Sequence, residues 1–315
     1  MAKNHFKVKT KVKLHEMEIG AEIQESDFAC ISGEYFVQLE HFQEEEKIEP
    51  YKVSPGIWSI QKTMAGLKLT PTSFSQDKVL ESFVHTKNIT EKVDKFYSRL
   101  DTYKKFGIEV PKRCMLLYGP AGSGKSQAIN KIARTYSEQK DIAVIIWKTD
   151  VIDPHDVKEF VKSFEYHGVQ RLLVIAEDIG GVEVDQVRIK SESSLLSLLD
   201  NQEKSFTIPV MIIATTNYPE NLLANLTNRP QRIDDKIEVG YPSPEMRQEL
   251  FKFFAGTDVV PKEILNKIKD KKYKEFTPAH IKETFVRSGI YDISLEEALN
   301  QVAGDIDKFN KMFKN

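Results

Sequence analysis

The chain has 315 residues, room for two or three domains of the usual size of roughly 100 to 200 residues. Its 45 basic and 47 acidic residues leave a net charge of −2, so no global field draws in nucleic acid or an anionic membrane, and any such partner must use a local patch. The longest apolar runs, AVIIW at 143–147 and LLVIA at 172–176, are strand-length and far below the roughly 18 residues of a membrane helix. The first residues have no apolar core of a secretory signal. Cys30 and Cys114 are too isolated for a disulfide framework or a zinc site, so a reducing cytoplasm is expected.

Phe6, Val8, Thr10, Val12 and Leu14 alternate with Lys7, Lys9, Lys11 and Lys13, the two-residue period of a strand with one buried face. Lysines in that pattern suit a sheet edge that must not pair with another edge, or a basic strip for an acidic partner or nucleic acid. The short runs FACI, YFVQL and WSIQ follow, separated by Gly33, an acidic EEEK and SPG. A small β-rich domain over residues 1–76 is expected.

Two helical stretches come next, DKVLESFVH with Val79, Leu80, Phe83 and Val84 on one face, and EKVDKFYSRLDTYKKF with Val93, Phe96, Tyr97 and Leu100. Gly107 ends the second. CMLLY, AVIIW, LLVIA and VMIIA then alternate with amphipathic stretches, and such continuous apolar runs lie buried on both faces of a parallel sheet. This predicts a doubly wound α/β core over 77–242. Beyond Pro242 four helical stretches, three with Pro244, Pro261 or Pro278 at first-turn positions, predict a helical lid over 243–315.

Residues 119–126 read GPAGSGKS, the spacing of a phosphate-binding loop, with a strand before it and a helix after. The glycines let successive amides turn toward phosphates, and the following helix adds its positive dipole end. Gly119, Pro120, Ala121, Gly122, Ser123, Gly124, Lys125, Ser126 and Gln127 are therefore expected around ATP. Lys125 reaches the β- and γ-phosphates in this scheme, and the Ser126 hydroxyl binds Mg²⁺. LLVIAEDIGG at 172–181 ends an apolar strand in neighbouring carboxylates, as a metal-holding acid beside a water-activating acid requires. Two registers are open, Ala176/Glu177 and Glu177/Asp178. The second makes Glu177 the metal-side acid and Asp178 the base, and it is preferred because both roles need an anion. Asn217 closes the strand VMIIA through Thr215 and Thr216, where its amide can hold attacking water. Arg229 and Arg232 flank a Pro-Gln pair, and a guanidinium from a neighbouring subunit can stabilise transition-state charge.

From about residue 77 to 290 the chain resembles the AAA+ ATPases, most closely the AAA branch that includes the Bcs-type proteins. Four blocks carry the resemblance: PKRCMLLYGPAGSGKS, AEDIGG, ATTNYPENLLANLTNRPQRID and FTPAHIKETF. In that family they are the strand and phosphate loop, the Walker B acids, the sensor strand with its arginine-finger segment, and a lid helix facing the nucleotide. The resemblance implies a P-loop NTPase fold, Mg-ATP hydrolysis, a homo-oligomeric ring of six or seven subunits, and remodelling of a protein or complex. Protein-threading members carry an aromatic, an apolar residue and a Gly after the second core strand, whereas this chain reads KTDVIDPHDVKEFVKSF. A DNA-metabolism ATPase is the alternative, opposed by the net charge, as is a slowly hydrolysing scaffold, favoured by the short Asp178 side chain. His155, His167 and His280 lack metal-ligand partners at useful spacing and have ordinary structural roles in this reading, with His280 alone lying in the lid block, where it can border the adenine.

Overall fold

The computed structural model describes residues 5–13, 28–32, 35–42, 51–63, 66–73, 84–148, 154–179, 206–222, 232–256 and 259–312. Two compact units divide the chain, one of residues 1–51 with 64–66, the other of 52–63 with 67–315.

In the first unit β1 (His5–Lys13), β2 (Phe28–Ser32) and β3 (Tyr35–Phe42) form an antiparallel sheet in the order β1-β3-β2. The pairing of β1 with β3 slips between Val8 and Thr10.

The second unit is built on a seven-stranded sheet in the order β12-β7-β11-β10-β8-β5-β6. Its centre consists of β7 (Lys112–Tyr118), β8 (Ile142–Lys148), β10 (Arg171–Glu177) and β11 (Val210–Thr216), all joined in parallel. Apart from half-buried Tyr118, the apolar runs in these strands are buried, as a sheet covered on both faces demands. β12 (Asp235–Glu238) extends the β7 edge in parallel.

β5 (Gly56–Thr63) and β6 (Gly66–Pro71) lie on the opposite edge of this sheet, with β5 parallel to β8 from Gly56↔Ala143 to Ser59↔Ile146. The expected boundary at residue 76 is thus misplaced: the WSIQ run belongs to the core sheet, where it caps the otherwise open edge of β8, and Ile57 packs against the main apolar cluster. The short β4 (Tyr51–Val53) pairs with β9 (Phe164–Tyr166).

The helices of the core are α1 (Val84–Ser98), α2 (Leu100–Lys105), α3 (Lys125–Ser137) and α4 (Pro154–Lys162). α1 runs straight through TKNIT, where the sequence suggests a junction. Buried Ile89 and the Thr90 hydroxyl donating to the Thr86 carbonyl at 2.9 Å accommodate it. The break falls instead at Arg99. α1 and α3 cover one face of the sheet through Ile89, Val93, Phe96, Ile129, Ile132 and Tyr136.

After Pro242 come α5 (Pro244–Ala255), α6 (Lys262–Lys267), α7 (Pro278–Ile290) and α8 (Leu295–Met312). They enclose their own apolar cluster around Leu250, Phe251, Tyr273, Phe276, Ile281 and Leu299. Pro244 and Pro278 open their helices, but Pro261 is the N-cap of α6 and lies outside its first turn. Buried Arg247 donates to the carbonyls of Pro242, Ile268 and Lys269 at 2.8–3.0 Å, tying the connection to the lid. Carbonyl acceptors let a guanidinium be buried without a carboxylate. Among the described residues no helix is long and apolar enough to cross a membrane.

Candidate active site

A cleft of about 350 Å³ opens at the carboxyl ends of the central strands, lined by the loop after β7, the start of α3, the ends of β10 and β11, and the lid. The loop's shape rests on glycines in the left-handed region, Gly119 (φ 150°), Gly122 (75°) and Gly124 (101°). At Gly119 a Cβ would stand 2.1 Å from the Val239 carbonyl oxygen, and at Gly122 it would stand 2.8 Å from the Ala279 Cβ. These two glycines thus let β12 and the lid helix approach the loop closely. Gly124 is the N-cap of α3 and offers no side-chain cap, and Lys125, Ser126 and Gln127 of the first turn line the cleft.

Lys125 is 6% exposed. Its Nζ donates to the Gly119 carbonyl at 2.8 Å, the Pro120 carbonyl at 3.0 Å and Asn217 Oδ1 at 2.6 Å. Burial pulls its pKa below the usual lysine value, and the nearby Asp178 carboxylate opposes this. Asn217 Nδ2 in turn donates to Asp178 Oδ1 at 3.4 Å. Asp178 has φ 55°, a left-handed geometry that Asp tolerates better than most residues. Its amide donates to Thr215 Oγ1 at 3.0 Å, and the Ile179 amide to the Thr215 carbonyl at 2.8 Å, so β11 holds the turn that presents the carboxylate.

The acids are placed differently. Asp178 lines the cleft, while Glu177 is the last residue of β10, half-buried beside Lys148 of β8. Ala176 is fully buried in the sheet. Pro120 and Ser123 complete the loop without lining the cleft, whereas Ala121 lines it. Arg232 is 9% exposed just before β12, so the isolated chain does not display its guanidinium as a finger for a neighbour would have to be displayed. Arg229 lies outside the described residues, as do Gly180 and Gly181.

The lid contributes residues that the sequence reading does not single out. Phe254 of α5 and Pro278, Ala279 and Lys282 of α7 line the cleft, and the Ala279 amide donates to the Gly122 carbonyl at 3.3 Å. The cue for Lys282 is its three-residue spacing from Ala279 on one helix face. Phe254 is indistinguishable by pattern from the lid-core phenylalanines around it. His280 does not line the cleft. It forms a capping box with Thr277, its Nδ1 accepting from the Thr277 amide at 3.1 Å, and its ring tilts against Phe276.

Mg-ATP fits this cleft. The Ser123 hydroxyl is buried inside the loop with no partner, Lys125 has only neutral acceptors at hand, and the α3 terminus is uncapped. Among the described residues no cluster of three His, Cys, Asp or Glu side chains suits a metal.

A phosphate-binding loop between a buried parallel strand and a helix, with a carboxylate and an amide converging on its lysine, defines a P-loop nucleoside triphosphatase. Residues 115–241 match the model of the ATPase family associated with various cellular activities (AAA), so the chain carries an AAA+ ATPase core. The protein HYPER-SENSITIVITY-RELATED 4 of Arabidopsis thaliana is 29% identical over 279 residues, 81% of this chain and 46% of its own length. A probable 26S proteasome regulatory subunit 10B of Caenorhabditis elegans is 27% identical over 210 residues, 62% of this chain and 50% of its own. The Cell division cycle protein 48 homolog of Archaeoglobus fulgidus is 31% identical over 169 residues, 48% of this chain and 21% of its own. The chain spans half or less of the length of these relatives.

Proposed function

We propose that this protein hydrolyses Mg-ATP at the cleft between core and lid, and that it does so as a ring of identical subunits that remodels a protein or protein complex. The observation behind the catalytic part is the chain of contacts from Lys125 through Asn217 to Asp178. In this reading Lys125 turns from the loop carbonyls to the β- and γ-phosphates. Asn217 fixes the orientation of Asp178, and Asp178 takes the proton from attacking water. Ser126 would hold magnesium, whose charge would help neutralise the phosphates, whereas Glu177, expected beside it, does not line the cleft. Phe254 lies against the base, and Lys282 adds a cation from the lid.

The order Glu177 then Asp178, with no threading tripeptide after β8, favours the Bcs-type branch over the threading members. The first unit is the candidate for recognising the remodelled partner, and cytoplasmic location rests on cysteine usage alone. A slowly hydrolysing scaffold is the second reading, favoured by the short Asp178 side chain on its constrained turn.

Arg229 is the finger that this reading assigns to the neighbouring subunit, since Arg232 is enclosed in its own chain. The test mixes two variants, Asp178→Asn and Arg229→Ala, each expected to be nearly inactive in steady-state phosphate release. Mixed rings contain interfaces with both groups intact, so part of the activity returns. No recovery in oligomers shown by light scattering to be mixed counts against an arginine acting in trans.

A further inference from the structure

A second cleft, of about 400 Å³, lies at the other end of the same sheet. Arg113 near the start of β7 and Asp235 at the start of β12 line it, whereas the phosphate loop follows the far end of β7. Seven strand residues set the two clefts roughly 20 Å apart. The cleft therefore has no part in the ATP site.

Its lining combines cations with an apolar floor. α1 supplies Lys92 and Lys95, the break after it supplies Arg99, and the floor is formed by Phe96 and Tyr103, whose rings meet edge to face at 5.7 Å. Asp235 is already engaged: it accepts from Lys92 at 2.6 Å and from Arg113 Nε at 2.9 Å. Lys95 on α1 and Arg99 at the break that follows it both line the cleft, exposed, and without a carboxylate partner among the described residues. At the rim Phe106 is 78% exposed, beside Ile108. Two uncompensated cations next to a phenyl ring left in water call for a ligand that is both anionic and apolar.

We propose that this cleft is a docking site for an acidic peptide segment of a partner protein, its carboxylates pairing with Lys95 and Arg99 and a bulky apolar side chain covering Phe106. Charge complementarity and size carry the choice. The cleft holds one large side chain and its neighbours, too little for a folded domain to enter. A nucleic-acid strand would meet the fixed Asp235 carboxylate, and it would find one exposed ring where successive bases need several. Recruitment at this end of the sheet leaves the nucleotide cleft free, so the proposal stands whether or not the ATPase reading does.

Fluorescence anisotropy with the full chain tests it, using labelled nonapeptides of acidic residues around a central Phe, Leu or Trp. The comparison ligands are the same peptides with lysine in place of each acid, and an oligothymidylate. At least one acidic peptide should bind the wild type. Lys95→Glu with Arg99→Glu should weaken that binding at least about tenfold, which is about 1.4 kcal/mol. Phe106→Ser should weaken it less, and Lys105→Glu, outside the lining, should leave it unchanged. Binding of a fluorescent ATP analogue reports that the variants are folded. The proposal is overturned if no acidic peptide exceeds its lysine counterpart, if the charge-reversed variant binds as the wild type does, or if the oligothymidylate binds more tightly. It is equally overturned if the substitutions disperse the oligomer while peptide binding stays the same, for the surface is then a contact between copies.

Discussion

The two clefts at opposite ends of the central sheet both offer lysines to an anion, yet they hold them differently. In the nucleotide cleft Lys125 is nearly buried and fixed by hydrogen bonds to two carbonyls and Asn217, beside a buried hydroxyl that lacks a partner and a helix start with no side-chain cap. At the other end Lys95 and Arg99 stand in water with free side chains. A fixed, partly desolvated cation interacts strongly with a compact polyanion in a single pose, because little reorganisation is left to do. An exposed cation adds little affinity by itself and depends on a ligand that also buries apolar surface. Charge alone therefore does not identify a site in this protein. The degree to which neighbours hold the charge in place does.

That contrast can be broken from either side. Lys125→Ala should reduce steady-state ATP turnover by at least about 10²-fold, since it removes a preorganised positive group from the phosphates. Arg99→Glu should change turnover by less than about twofold, as surface substitutions distant from a site do. Phosphate release measured on both variants would sink the assignment of the nucleotide cleft if the two fell alike.

The contrast can also be sharpened at the glycines. Gly119→Ala forces a Cβ toward a backbone oxygen 2.1 Å away, and backbone cannot swing aside as a side chain can. Overpacking of this kind costs about 1–3 kcal/mol or more. At Gly256, φ 66° and ψ −111° with nothing within 4 Å, the same substitution meets only the backbone penalty of a sparsely populated conformation, about 1–3 kcal/mol. Thermal unfolding should rank Gly119→Ala below Gly256→Ala, and below wild type in nucleotide affinity as well. The reverse order would mean that the approach of Val239 to the loop is not what fixes its shape.

The parts of this architecture written in consecutive residues are legible without the structure. GPAGSGKS specifies its own turn, and the apolar runs of β7, β8, β10 and β11 are too continuous for any strand exposed on one face. β5 is not legible as part of the core, because WSIQ looks like its β-rich neighbours in sequence. β12 has only four residues, DKIE, too few to show a periodicity, and only its pairing with β7 reveals it as a strand. Pattern likewise leaves open which acid enters the cleft. Asp178 does so because Thr215 holds its amide and φ turns left-handed there, both of which are tertiary facts. The burial of Arg232 belongs to the same class, since arginine in a segment of polar residues reads as surface.

The smallest expected effect concerns the lid's attachment to the loop. His280 Nδ1 accepts from the Thr277 amide while the His280 amide donates to Thr277 Oγ1 at 3.4 Å, and the adjacent Ala279 amide reaches the Gly122 carbonyl. Burial lowers the His280 pKa from its usual 6.5, although its hydrogen bond with the Glu275 backbone opposes the shift. A protonated ring would place an N–H where the Thr277 amide already donates, opening the cap. With the folded pKa below the unfolded one, the stabilisation is fully present above the unfolded value of 6.5 and is lost as pH falls through the lower folded value. Glutamine at this third helical position is the usual capping-box partner and keeps the acceptor without titrating. His280→Gln should therefore match wild type at about pH 7.5 and retain more stability at about pH 5.5, by no more than the ~1 kcal/mol of a cap. Differential scanning calorimetry across that range, with and without a nucleotide analogue, measures the gap. Parallel pH profiles for the two proteins would show that His280 does not titrate in the cap. A gap seen only with nucleotide bound would place its effect on lid closure over the loop instead of on the fold of the lid.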